Sequence, residues 1–189
     1  DGCEQRREEW SLERMTVTTT IVDAPWYQGL LRRFEKGCVF CTPEPHLVLW
    51  SDEHLVLCAD PAPIRAGHAV LFTSDHVGCA AEVEHDARPH LGRVREELRA
   101  TWQRAFGAVT VFEHGRAGHC FDGGLAQRLC HHFHAHLVPG VHEVAADLAT
   151  MYGRRPVTDY GELPGLFDDY GDYIHVEECR PGASSSWFY

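Results

Sequence analysis

The stretch Cys130-His131-His132-Phe133-His134-Ala135-His136-Leu137-Val138-Pro139 carries histidines at three alternating positions. Alternate side chains of an extended strand point to the same face, so His132, His134 and His136 would share one side. The apolar residues between them would then point into the core. The pattern predicts a β-strand over residues 132–138 with one functional face and one buried face.

Composition alone makes this pattern no more than suggestive. The chain has 14 histidines among 189 residues. At that frequency three alternating histidines arise by chance in roughly one chain in thirteen. A histidine-rich surface strand or an accidental metal site would give the same pattern, so the surrounding sequence has to decide between these interpretations.

The remaining composition is that of a globular protein, with 44% hydrophobic and 24% charged residues. The formal net charge of −11 argues against nucleic acid as a partner, although a small anion could bind where a pocket supplies donors. No apolar run approaches the roughly 18 residues of a membrane span. The eight cysteines would permit four disulfides. Because no signal peptide is recognised, we expect reduced cysteines and a cytoplasmic protein.

The patterns along the chain predict an α+β fold. Hairpins and a long amphipathic helix occur without regular alternation, which favours an antiparallel sheet of about five strands with the long helix packed on one face. We expect an N-terminal extension (1–23), a catalytic domain (24–152) and a C-terminal extension (153–189). The predicted elements are helices at 24–36, 86–106 and 144–151, and strands at 47–50, 55–59, 67–72, 108–112, 132–138 and, as a possible edge strand, 173–176.

A cysteine pair suggests a metal site. Cys38 and Cys41 have the spacing of a zinc knuckle, but zinc requires four ligands. His76 and His132 could complete a Cys2His2 tetrahedron, which would be a closed, structural Zn²⁺ site. The alternative interpretation is a pair of unrelated thiols.

Four motifs follow one another between about residues 37 and 139: Cys38-Val39-Phe40-Cys41, Asp60-Pro61 with Gly67-His68, His76, and His132-Phe133-His134-Ala135-His136-Leu137-Val138. In this order they resemble the histidine-triad (HIT) superfamily. The resemblance implies a HIT-like fold, a small-molecule nucleotide substrate and, as in many members, a homodimer formed by joining sheets.

The resemblance also implies roles for individual residues. The middle histidine, His134, would be the nucleophile that forms a covalent nucleotidyl-histidine. His136 would bind the phosphate or protonate the leaving group, and His68 would lie beside the triad. Asp60 would accept hydrogen bonds from ribose hydroxyls. In zinc-bearing members the ligands correspond to the four residues of the predicted metal site.

The segment before the triad departs from the family pattern. Many members have a small polar residue there, near the phosphate, whereas this chain reads Gln127-Arg128-Leu129-Cys130-His131. Arg128 and the backbone amides of Gly123 and Gly124 are therefore candidate phosphate donors. An ordinary flexible turn is the alternative interpretation of the two glycines, and His131 is expected to face away from the triad.

The sequence resembles two different branches of the superfamily. The segments 72–76 and 112–115 resemble the galactose-1-phosphate uridylyltransferase branch, which also carries zinc. That branch normally has Gln at the third triad position, where this chain has His136, as in the hydrolases. We therefore predict hydrolysis of a phosphoramidate or of a phosphoanhydride. Transfer to a non-water acceptor, a specialised biosynthetic enzyme and a nucleotide-binding module without turnover remain the alternatives.

Overall fold

A computed structural model describes residues 38–116 and 131–189 of the chain. Eight strands form one sheet in the order β1-β2-β3-β5-β4-β7-β8-β6, and each neighbouring pair is antiparallel. The strands are β1 Val48–Ser51, β2 Leu55–Ala59, β3 Ala69–Thr73, β4 Val109–Glu113, β5 His134–Pro139, β6 Arg155–Pro156, β7 His175–Arg180 and β8 Ala183–Phe188. The α+β class is confirmed, and the helix predicted at 24–36 lies outside the described residues.

The prediction of about five strands was wrong. Three strands from the C-terminal part of the chain continue the sheet beyond β4, because β7 pairs with the free side of β4 and β8 folds back onto β7. The strand predicted at 173–176 is therefore not at an edge. It corresponds to β7, which begins at His175 and lies between β4 and β8.

Three α-helices accompany the sheet in the described part of the chain, where one long helix was predicted on a face. They are α1 Arg88–Phe106, α2 Val144–Met151 and α3 Leu163–Tyr170. The first two match the predicted helices, and α3 was not predicted. No helix among residues 38–116 and 131–189 is long and apolar enough to cross a membrane.

The two faces of the sheet have different roles. The face that carries Phe133, Ala135 and Leu137 packs against α1 and forms the main core. The opposite face presents His134 and His136 beside a smaller apolar cluster of Cys58, Val70 and Phe72. The predicted alternation along β5 is thus confirmed, and it places the histidines outside the main core.

Candidate active site and metal centre

His134 is the best-placed nucleophile in the described residues. It begins β5, is almost fully buried and donates its Nδ1 hydrogen to the backbone carbonyl of His132 at 2.7 Å. This bond fixes the tautomer, so Nε2 keeps its lone pair. Burial lowers the pKa of His134 from 6.5 to about 4, with smaller contributions from neighbouring groups. At neutral pH the ring is therefore an uncharged imidazole able to attack an electrophile.

An aromatic ring covers one face of the nucleophile. Phe40 stacks on His134 with ring centroids 4.6 Å apart and an interplanar angle of 23°. The same ring packs on Phe72 at 5.0 Å. Since Phe40 lies between Cys38 and Cys41 in the sequence, the segment that carries the cysteine pair also contacts the proposed nucleophile.

A chain of hydrogen bonds sets the tautomers of His68 and His136. The backbone N–H of Ile64 donates to Nδ1 of His68 at 3.2 Å, so the hydrogen of His68 lies on Nε2. That nitrogen is 2.9 Å from Nδ1 of His136 and donates to it. The hydrogen of His136 is consequently on Nε2. Burial lowers the pKa of both imidazoles, which keeps this neutral arrangement at pH 7.

Asp60 lies beside these two histidines. One carboxylate oxygen accepts the N–H of Ala62 at 2.7 Å, and the other is 3.7 Å from Nε2 of His68 and 3.8 Å from Nδ1 of His136. These three side chains are also close enough to hold a metal ion. However, an imidazole that binds metal usually donates its other N–H, whereas Nδ1 of His68 accepts a hydrogen bond. The geometry therefore favours a hydrogen-bonding role, and not metal binding, for Asp60, His68 and His136.

Gly67 positions His68 through a close backbone approach. Its φ of +88° is readily adopted only by glycine, and a Cβ atom there would lie 2.5 Å from the ring of Phe106. Trp102 donates its Nε1 hydrogen to the Gly67 carbonyl at 2.7 Å. The C-terminal end of α1 therefore holds the loop that delivers His68 to the site.

The four predicted metal ligands come together. One donor atom from each lies within 4.8 Å of the others. Nδ1 of His132 is 3.3 Å from the sulfur of Cys38, and Nδ1 of His76 is 3.1 Å from the sulfur of Cys41. Nε2 of His132 donates to the Thr73 carbonyl at 2.8 Å, which leaves Nδ1 as the lone-pair nitrogen facing the thiols. These residues fit a tetrahedral metal ion.

The protonation of this cluster would change on metal binding. Burial and the neighbouring Cys38 raise the pKa of Cys41 to about 11. A bound cation reverses this effect because a coordinated thiol loses its proton. Metal binding at this cluster would therefore release protons.

The chain is similar to known proteins over only part of its length. No protein-family model matches the chain. CWF19-like protein 1 homolog from Drosophila melanogaster is 29% identical over 108 residues, which are 51% of this chain and 20% of that protein. The chain thus spans about a fifth of the length of this curated relative.

Solved structures are only weakly similar to the chain, as two examples show. A HIT family hydrolase from Legionella pneumophila is 21% identical, with 57% of this chain and 96% of that chain covered and a TM-score of 0.40. A hypothetical histidine triad nucleotide-binding protein from Sulfolobus tokodaii is 20% identical, with 54% and 68% covered and a TM-score of 0.41. Because both TM-scores are below 0.5, these likenesses carry no argument about function.

Some predicted site residues are assembled and others are outside the described residues. The structure brings His68, His134 and His136 into one cluster with Asp60 at its side. Gly124 and Arg128 belong to the segment 117–130, which is not described, so their role as phosphate donors stays a prediction. His131, expected to face away from the triad, lines a small cavity together with His134.

Sequence reasoning missed His114 as a site residue. Its ring lies 6.2 Å from that of His134 and 6.5 Å from that of His136, measured between centroids. His114 follows the end of β4, which pairs with β5. The signal that could have found it is the position of His114 directly after β4. Because β4 pairs with β5, a side chain at that position can lie near the histidines of β5.

Proposed function

We propose that this chain is an enzyme that attacks a nucleotidyl phosphorus with Nε2 of His134 and then passes the nucleotidyl group to water. The observation that carries the proposal is the hydrogen bond from Nδ1 of His134 to the His132 carbonyl, which leaves a neutral, attacking Nε2 on the functional face of the sheet. An ordinary buried histidine in a core would not be surrounded by two further imidazoles.

The first step forms a bond between Nε2 of His134 and phosphorus as the bond from phosphorus to the leaving group breaks. The leaving group departs with the electron pair and takes a proton from solvent where its basicity requires one. The ring becomes a nucleotidyl-imidazolium whose Nδ1 hydrogen stays bound to the His132 carbonyl. Nε2–H of His136 is in the correct tautomer to donate to a phosphoryl or leaving-group oxygen.

In the second step water attacks phosphorus, the bond to Nε2 breaks and the electron pair returns to the imidazole. The products are a mononucleotide and a proton released to solvent. Dividing one displacement into two is covalent catalysis. The substrate is a nucleoside phosphoramidate or a phosphoanhydride such as a dinucleoside polyphosphate, and Asp60 is the proposed acceptor for ribose hydroxyls.

We also propose that the metal is Zn²⁺ and that its role is structural. Two thiolates and two imidazoles are a typical tetrahedral zinc set and leave no open position for water. When bound, zinc would rigidify the segment that carries Phe40 and the backbone at His132, two residues before β5 begins. A cytoplasmic location, a homodimer and the absence of nucleic acid partners stay predictions.

The alternative function is transfer of the nucleotidyl group to another acceptor, such as a sugar phosphate. It is favoured by the Cys2His2 cluster, since the uridylyltransferase branch that two sequence segments resemble also carries zinc. Product analysis separates the two functions. Purified protein is incubated with a phosphoramidate and with a dinucleoside polyphosphate, with and without added sugar phosphate. Release of mononucleotide supports hydrolysis, whereas preferential transfer to the sugar phosphate would overturn it.

A further inference from the structure

The ring of His114 lies near that of the proposed nucleophile. The two ring centroids are 6.2 Å apart and the rings are inclined by 30° to each other. One small cavity is lined by both histidines, together with Arg116 and His131. His114 and His134 therefore border the same space.

The residue before His114 is firmly anchored. Glu113 is 2% exposed, and its carboxylate accepts the N–H of Ala80 at 2.8 Å and the hydroxyls of Tyr173 at 2.6 Å and Tyr160 at 2.9 Å. A fully satisfied buried carboxylate fixes the backbone at the end of β4. This anchoring limits the positions that His114 can take.

The residues after His114 are held by the same tyrosine. Gly115 has a φ of +47°, and a Cβ there would lie 2.4 Å from the ring of Tyr173. The N–H of Tyr173 donates to the Gly115 carbonyl at 3.0 Å. Arg116 turns towards Glu82, to which it donates at 2.7 Å. Tyr173 thus contacts both neighbours of His114 and links residue 114 to the C-terminal part of the chain.

We propose that His114 is a substrate-contacting residue that donates a hydrogen bond to the phosphate under attack, and that Tyr173 is its positioning residue. This rests on the proposed function. A phosphorus atom in a near-attack arrangement lies about 3–3.5 Å from the nucleophile. A donor lies about 2.7–3.1 Å from the oxygen it binds. The ring centroids of His114 and His134 are 6.2 Å apart, so a phosphoryl group placed at His134 would be within reach of a donor nitrogen of His114.

The direct test compares the binding of nucleoside monophosphates with that of the matching nucleosides. AMP, GMP, UMP and CMP, and the four nucleosides, are titrated into metal-loaded protein by calorimetry. We expect His114→Ala to weaken binding of the preferred monophosphate about tenfold and to leave the nucleoside unaffected, because only the phosphate contact is lost. His85→Ala, at a side chain that is 89% exposed, is the matched control and should bind both ligands like the unaltered protein.

Equal binding of the monophosphate by His114→Ala and the unaltered protein would overturn the proposal, as would equal losses for monophosphate and nucleoside. A second measurement needs no substitution. Histidines are modified with diethyl pyrocarbonate and mapped by peptide mass spectrometry. The monophosphate should protect His114 and the nucleoside should not; modification of His114 unaffected by the monophosphate contradicts the proposal.

Tyr173→Phe tests the positioning role. It removes one donor to Glu113 and keeps the ring against Gly115. We expect a two- to fivefold loss in monophosphate affinity with unchanged nucleoside affinity, whereas a purely structural role would lower the melting temperature and change neither affinity. Tyr160→Phe is a second variant should the first not fold. It removes the hydroxyl that donates to the other carboxylate oxygen of Glu113.

The binding and protection experiments do not depend on turnover. If the unaltered protein binds monophosphates through His114 but forms no covalent adduct and hydrolyses nothing, the proposed function fails and the His114 contact stands. If hydrolysis proceeds through His134 and His114→Ala binds and reacts normally, the present inference fails and the proposed function stands.

Discussion

His132 and His134 are linked through the backbone, since the carbonyl of His132 accepts the Nδ1 hydrogen of His134 at 2.7 Å. The ring of His132 at the same time faces the two thiols and is bound to Thr73 on its other side. One residue therefore takes part in the metal cluster through its side chain and sets the tautomer of the nucleophile through its main chain. This arrangement would couple metal binding at the cluster to the proposed attack by His134.

Loss of the metal should reduce both stability and activity. Cys41→Ser removes one ligand, and we expect metal content to fall from one ion per chain to well below one, with a lower melting temperature. The rate of nucleotidyl transfer should fall because the segment bearing Phe40 loosens. Metal analysis, differential scanning fluorimetry and single-turnover kinetics check this. Cys58→Ala, in β2 outside the cluster, should keep its metal; a metal-free Cys41→Ser protein with normal stability contradicts the account.

Activity should persist at mildly acidic pH. Burial lowers the pKa of His134 to about 4, so the nucleophile stays unprotonated well below the ordinary histidine value of 6.5. We expect kcat/KM to show no loss near pH 6.5 that is attributable to His134. A pH profile at saturating metal, with metal content measured at each pH, checks this. An acid limb centred at 6.5 in protein that still holds its metal would count against the buried nucleophile.

Stability should change with pH in the same range. The pKa of His134 is lower in the folded than in the unfolded chain, so between pH 6.5 and about 4 the unfolded chain binds more protons. The associated stability is fully present above pH 6.5 and is lost as the pH falls towards 4, on the order of 3 kcal/mol for this group. Burial lowers the pKa of His136 and His175 as well, with the same sign. Urea unfolding at several pH values measures the slope, and His134→Asn should reduce it.

Phe40 should orient the nucleophile. Phe40→Ala removes the ring that stacks on His134, and an aromatic pair of this kind is worth roughly 0.5–1.5 kcal/mol beyond its buried area. We expect the rate of nucleotidyl transfer to fall about two- to tenfold. Phe40→Tyr keeps the stack and is the matched control. Metal content is measured in both variants, and an unchanged rate in a metal-loaded Phe40→Ala protein would show that the stack has no such role.

Gly67→Ala should be costly despite the small change. The side chain would force a positive φ on alanine and lie 2.5 Å from the ring of Phe106. A strained left-handed residue costs about 1–3 kcal/mol, and we expect at least this loss in the free energy of unfolding. Adding Phe106→Ala should relieve the contact but not the backbone strain. A fully stable Gly67→Ala protein would show that this loop is not held as described.

The functional face was predictable because its signal is local. Alternating histidines separated by Phe133, Ala135 and Leu137 require an extended strand with two unlike faces, and the cysteine spacing pointed to a metal centre before any fold was known. The fold beyond β4 was not predictable, since pairing of β7 with β4 depends on contacts between residues far apart in the sequence, such as Glu113 with His175. For the same reason, the contacts of Tyr173 with Glu113 and Gly115 at the end of β4 could not be predicted from the sequence.

His132 shows a second limit of local patterns. The strand was predicted to begin at residue 132 but begins at His134. The N–H of Phe133 donates to the Val77 carbonyl at 2.6 Å, and the ring of His132 is held by Thr73. These tertiary contacts take the backbone out of the sheet ladder before His134, and no periodicity in the sequence encodes them.

The most direct measurement is the site of covalent labelling during a single turnover. Metal-loaded protein is mixed with excess phosphoramidate or dinucleoside polyphosphate, quenched in alkali within milliseconds to seconds, digested and analysed by mass spectrometry, with His134→Asn and His85→Asn in parallel. We expect a nucleotidyl group on residue 134 that appears and decays at the rate of turnover in the unaltered protein and in His85→Asn, and no adduct in His134→Asn. Turnover of equal speed in His134→Asn, or an adduct mapped to a different residue, would contradict it.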